Sequence, residues 1–194
     1  MYRSTARKLL LKRLEEPLTR LLVKSRLSPN ALTLIGLLAA GGSAYLISTG
    51  SFVIGGIVLL ISGVFDLLDG MLARGTNRVT AFGGVLDSVS DRIGEAGILL
   101  GLMFFYLTPP MKQELVLIYV TMAGSFMVSY LRARAEIIGV KGDVGIMTRP
   151  ERVFLLALGL LINQVPIILG IIASLTFFTS GQRLFHIWKA SRAK

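Results

Sequence analysis

Four aspartates stand within one short stretch of otherwise apolar sequence, DLLDGMLARGTNRVTAFGGVLDSVSD, at Asp66, Asp69, Asp87 and Asp91. The first two are three residues apart and the last two four apart, so on helices each pair shares one face. A carboxylate near a bilayer centre costs about 2.5–3.5 kcal/mol on insertion scales, and four of them require neutralisation. Divalent cations supply it directly. The chain has no cysteine and one histidine, which leaves oxygen ligands, and a hard oxygen set suits Mg²⁺ or Mn²⁺. Two such ions could clamp the oxygens of a pyrophosphate during a displacement. Gly70, Ala73 and Gly83 remove bulk where a nucleotide could approach the backbone, and Arg74 offers a permanent charge to a diphosphate oxygen. The competing reading is a buried polar network joining two helices with Arg74 as counter-ion. Ionisable residues inside a membrane are functional by default, which favours the metal.

Helices must carry these side chains to a membrane edge, and the composition agrees. The chain is 53% hydrophobic and 16% charged, with a mean hydropathy of +0.70, too oily for a water-solvated surface. Its 194 residues predict a single domain over 1–194. Six long apolar segments, at 31–49, 51–75, 80–107, 113–138, 150–165 and 166–188, mostly approach the ~20 residues a spanning helix needs. Pro166, after Asn163 and Gln164, sets the break between the last two. Residues 1–26 place Leu9, Leu10, Leu14, Leu18, Leu21 and Leu22 at helical spacing among eight Lys and Arg residues, the pattern of an amphipathic surface helix. The expected architecture is therefore an all-α polytopic membrane protein. It has six transmembrane helices within 28–190 and an N-terminal amphipathic juxtamembrane helix over 1–26.

With the amino terminus inside, 20 of the 21 Lys and Arg residues fall on one side and only Lys112 opposite. The positive-inside rule then predicts that both termini and the aspartates face the cytoplasm at the cell membrane. The net charge of +10 accordingly reads as basic loops at anionic headgroups, not as a nucleic-acid surface. The stretch SYLRARAEIIGVKGDVGIMTRPERV sets Ser129, Arg132, Arg134, Arg149 and Arg152 near the same face. Those guanidinium groups either anchor the loop or gather around a phosphorylated acceptor. Gly97 and Gly101 form a GxxxG pair, which serves either a homodimer or packing within one chain; a homodimer is expected. A divalent-cation transporter is the alternative from another class. Such sites lie near the midplane between repeats, and the sequence has no internal repeat.

The aspartate run matches the signature D-x-x-D-G-x-x-A-R-x(8)-G-x-x-x-D-x-x-x-D at Asp66, Asp69, Gly70, Ala73, Arg74, Gly83, Asp87 and Asp91. The chain thus resembles the CDP-alcohol phosphotransferase family, and so many fixed positions at fixed spacing make the motif specific. The resemblance implies a membrane enzyme that moves a phosphatidyl or archaetidyl group from a CDP-linked lipid to an alcohol and releases CMP. It implies that Asp66 and Asp87 touch both of two metal ions, Asp69 one and Asp91 the other, with Asp91 also the base for the acceptor hydroxyl. It implies further that Gly70, Arg74, Thr80 and the segment Pro29, Asn30, Ala31, Leu32, Thr33 line the CDP site, beside Ala73 and Gly83. Pro29 and Asn30 equally suit an ordinary helix start.

The run S-Y-x-[KR]-A-R-A-E, followed by E-R, resembles the phosphatidylinositol-phosphate synthase branch. That implies that Arg132, Arg134, Arg152 and Arg183, beside Ser129, hold inositol 1-phosphate, and that phosphatidylinositol phosphate forms. Arg132 stands where lysine is expected, a planar fork in place of a point charge. The alternative is phosphatidylglycerol-phosphate synthase, which usually carries arginine shortly after its P-N-x-L-T segment; PNALTLIGLL has none. The partners implied are a CDP-linked lipid, a phosphorylated polyol and membrane lipid, with no nucleic acid.

Overall fold

Helix starts in this chain are set by short local signals. The Ser28 hydroxyl accepts a hydrogen bond from the Ala31 N–H at 3.2 Å, and Pro29 takes the first helical position, where its missing N–H costs nothing. Thr80 accepts from the Gly83 N–H at 2.9 Å, and Thr148 and Glu151 form a reciprocal capping box. The computed structural model describes residues 23, 27–108, 111–140, 142 and 144–192. Among them are six long helices: α1 Pro29–Ser48, α2 Phe52–Gly75, α3 Ala81–Tyr106, α4 Lys112–Ile137, α5 Arg149–Leu161 and α6 Val165–Arg192. The amphipathic helix expected over 1–26 falls on residues outside this description, Val23 apart.

The expectation of six transmembrane helices is corrected. Among the described residues, only α1, α2, α4 and α6 are long and apolar enough to cross a membrane. At 13 residues, α5 extends about 20 Å, short of the ~30 Å hydrocarbon core. The other exception, α3, carries Asp87, Asp91, Arg92 and Glu95 between its second turn and its middle. Counting apolar length could not reveal that the fifth segment stops early. The chain leaves helix after Leu161, Asn163 adopts φ +55°, and α6 begins at Val165 with Pro166 second. The last helix thus begins one residue earlier than the expected boundary at Pro166, with the proline in its first turn. The protein is a multi-pass membrane protein.

Small residues bring the helices together, as expected where lipid gives little hydrophobic drive between them. The first helix packs on α2 and α3, α2 on α5, α3 on α4, and α6 on α4 and α5. Ser43 donates to the Gly55 carbonyl at 2.7 Å and Ser62 to the Gly36 carbonyl at 2.8 Å, tying α1 to α2. A Cβ at Gly101 would collide with the Ala44 carbonyl, so this glycine sets the α1–α3 approach; Gly97 meets nothing within 4 Å. One member of the GxxxG pair therefore serves packing within the chain. Ile98, Leu102, Leu156, Leu160 and Leu169 belong to one buried core, drawn from the later turns of α3 and α5 and the early turns of α6. The polar residues gather toward the other end, where α2 and α4 finish and α3 and α5 begin. Large apolar side chains such as Leu38, Val53, Ile57 and Phe104 remain exposed along the outside, where lipid would cover them.

Candidate functional site

Asp66 and Asp69 lie in the last turns of α2, and Asp87 and Asp91 in the early turns of α3. The short turn 76–80 folds these two helix ends against one another, with Asn77 at φ +54°, a conformation asparagine tolerates. Asp66, Asp69 and Asp87 offer carboxylate oxygens that all lie within 4.8 Å of one another. At that spacing, and an effective dielectric constant of about 20, each pair of full charges repels by roughly 3 kcal/mol. The structure already supplies one cation. Arg149 Nη1 lies 2.6 Å from Asp66 Oδ2 and 2.8 Å from Asp91 Oδ1. Four carboxylates against Arg149 and the more distant Arg92, 3.8 Å from Asp91 Oδ2, leave excess negative charge, and the donor set is all oxygen. Both features fit a divalent cation.

Thr33, expected in the CDP segment, donates to Asp69 Oδ2 at 2.5 Å, and both residues are buried. It therefore orients a candidate metal ligand. A cavity of about 270 Å³ opens beside it, lined by Pro29, Asn30, Gly70, Arg74, Thr80 and Gly83 among others. Asp69, Asp87 and Ala73 also face it, whereas Ala31 and Leu32 do not; Leu32 is in the core. The glycines here have steric reasons. A Cβ at Gly83 would stand 2.9 Å from Thr80 Oγ1 and 3.3 Å from Asn30 Oδ1, and one at Gly70 would press on Arg74 Nη1 at 3.1 Å.

A second cavity, of about 430 Å³, lies on the other side of Asp87 and is lined by Asp91, Ser129, Arg132, Arg149, Arg152 and Arg183. Arg152 is buried and donates through Nε and Nη2 to the two Glu95 oxygens at 2.7 and 2.8 Å. Arg183 donates from Nε to the Val144 carbonyl at 2.8 Å and from Nη1 to the Val128 carbonyl at 2.6 Å. It thereby ties α6 to α4 and to the connection that leads into α5. Arg132 pairs with Glu136 at 3.0 Å on an exposed face. Arg134 sits exposed in the last turn of α4 and does not line this cavity. Sequence reasoning passed over Glu95, although an ionisable residue one turn beyond Asp91 in an apolar helix is itself a signal. It placed Arg149 at this face without foreseeing its contact with the aspartates.

The family model for CDP-alcohol phosphatidyltransferase matches residues 26–181. The chain belongs to this family. A phosphatidylinositol phosphate synthase of Mycobacterium marinum is 33% identical over 193 residues, covering 93% of this chain and 82% of the relative. An archaetidylinositol phosphate synthase of Pyrococcus horikoshii is 36% identical over 182 residues, covering 91% and 94%. A crystal structure of the Mycobacterium tuberculosis phosphatidylinositol phosphate synthase with CDP-DAG bound superposes with a TM-score of 0.80 at 29% identity, covering 91% of this chain and 94% of that one. The mycobacterial enzyme has also been solved with manganese and citrate. Membership makes this chain an enzyme, which displaces the cation-transporter alternative.

Proposed function

We infer that this protein transfers a phosphatidyl or archaetidyl group from a CDP-linked lipid to inositol 1-phosphate, releasing CMP and forming the corresponding inositol-phosphate lipid. The observation that carries the reading is a single side chain. Asp87 lines both the cavity of Gly70, Arg74 and Gly83 and the basic cavity of Arg132, Arg152 and Arg183, so two substrates could meet at the carboxylates. Relatives that make phosphatidylinositol phosphate and archaetidylinositol phosphate support the acceptor class.

In this reading Arg74 binds the donor diphosphate, while the missing side chains of Gly70 and Gly83 leave room for the nucleotide. Asp66, Asp69, Asp87 and Asp91 would hold two divalent ions, Mg²⁺ or Mn²⁺, which supply positive charge against the diphosphate oxygens as negative charge develops there. Asp91 faces the acceptor cavity and takes the proton of the acceptor hydroxyl. That oxygen bonds to the lipid-side phosphorus, the bond to the CMP oxygen breaks, and CMP leaves with the electron pair. Arg152 and Arg183, with Arg132 and Ser129, bind the acceptor's phosphate. Glu95 fixes the orientation of Arg152, leaving its Nη1 without a Glu95 contact. The basic flanking residues support a cytoplasmic position for this end of the helices.

The test is CMP release from CDP-diacylglycerol and CDP-archaeol by the purified protein. Inositol 1-phosphate, glycerol 3-phosphate, serine and free inositol compete as acceptors. Inositol 1-phosphate should be strongly preferred. Equal use of free inositol or serine would exclude a phosphate-binding acceptor pocket.

A further inference from the structure

Arg149 is the first residue of α5, the positive end of a helix dipole and a poor place for a cation. Its guanidinium nevertheless lies among the carboxylates, with Nη1 at 2.6 Å from Asp66 and 2.8 Å from Asp91. Those contacts offset the dipole. They do not exhaust the group, because Arg149 Nε is buried with no hydrogen-bond partner. Among the spaces this side chain lines are a small one with Asp66, Asp69 and Asp91, and the large basic cavity with Arg152 and Arg183. A rotation about its side-chain bonds would carry the charge from one to the other.

We propose that Arg149 is the resident counter-ion of the carboxylate site, that a divalent cation displaces it from Asp66 and Asp91, and that the displaced guanidinium turns into the basic cavity to bind the acceptor's phosphate. The physical reason is competition for the same oxygens. A divalent ion drawing on Asp66 and Asp91 removes the charge that holds Arg149, and repels the guanidinium as well. At the α5 N-terminus the displaced cation then needs an anion, which the acceptor's phosphate supplies. Metal loading therefore creates part of the acceptor site, which favours binding of the acceptor after the site is charged. The hand-over to phosphate rests on the proposed function; the displacement does not.

The experiment uses the full chain in detergent and Mn²⁺ alone, with free Mn²⁺ followed by electron paramagnetic resonance. If the resident guanidinium leaves only a minor fraction of sites open to metal, R149Q should bind Mn²⁺ about tenfold or more tightly than the unaltered protein. R92Q is the control for a general change in charge, because Arg92 lies 3.8 Å from Asp91 without bridging two carboxylates. Its gain should be clearly smaller. Mn²⁺ affinity of R149Q at or below that of the unaltered protein, or an equal gain in R92Q, overturns the displacement. Should R149Q not survive purification, R149K keeps the charge but loses the fork and should still exceed the unaltered protein in Mn²⁺ affinity; no gain overturns the displacement there too.

The second arm measures inositol 1-phosphate binding with and without Mn²⁺. The unaltered protein should gain acceptor affinity from Mn²⁺ by a larger factor than R149Q does, since coupling between sites is reciprocal. Equal gains overturn the hand-over. If free inositol also binds as well as inositol 1-phosphate, the acceptor reading fails while the Mn²⁺ comparison still judges the displacement.

Discussion

Replacing Thr33 by valine keeps the shape of the side chain and removes one hydroxyl, which makes it a clean probe of the carboxylate site. Thr33 Oγ1 lies 2.5 Å from Asp69 Oδ2 and 3.2 Å from the Pro29 carbonyl. With one proton to give, the hydroxyl favours the shorter, charged acceptor. Thr33 is 8% exposed and Asp69 6%, so water does not readily replace the lost donor. A hydrogen bond to a charged group is worth about 1.5–3 kcal/mol, which corresponds to roughly ten- to a hundredfold in a binding constant. The same range is typical for removing a group that orients a metal ligand. T33V should therefore weaken Mn²⁺ binding by about ten- to a hundredfold and shift the metal-activation curve by the same factor. Turnover at saturating metal should largely recover, because Asp69 itself remains. Direct titration with Mn²⁺, together with CMP release across a range of metal concentrations, reads both quantities. An unchanged metal dependence accompanied by a raised KM for the CDP-linked lipid would refute the argument and return Thr33 to the nucleotide.

Further outcomes follow from the same geometry. D87N removes the carboxylate that borders both cavities and should abolish turnover; activity near that of the unaltered protein at saturating Mg²⁺ would refute the metal assignment. G83A places a Cβ 2.9 Å from Thr80 Oγ1 and 3.3 Å from Asn30 Oδ1, an overpacking of the kind that costs about 1–3 kcal/mol. It should raise the KM for the CDP-linked lipid while leaving the acceptor KM nearly unchanged. Equal effects on the two substrates would mean that Gly83 shapes the fold and not the donor cavity.

The motif was legible as sequence because its spacing is local. Three- and four-residue separations put Asp66 with Asp69, and Asp87 with Asp91, on helix faces whatever the rest of the chain does, and that regularity carried the family assignment. The helix start at Pro29 was legible as one of two readings, since proline fits a first helical turn, whereas Thr80 was read only as a CDP-site residue and its cap on the Gly83 N–H came from the structure.

Span count was not legible. Apolar length alone does not reveal that α5 ends at Leu161, nor that the charges of α3 separate it from the four helices that satisfy a membrane's demands. The partners of the site residues were also decided only in three dimensions. Arg149 reaches Asp66 and Asp91 from far along the chain, Arg152 finds Glu95 across 57 residues, and Thr33 finds Asp69 across 36. Arg134 and Arg152 look alike as basic residues of one loop, yet one lies exposed and the other is buried against a carboxylate. Composition fixes how much charge a segment carries, whereas the crossing of helices determines which charges share a low-dielectric space and therefore interact strongly.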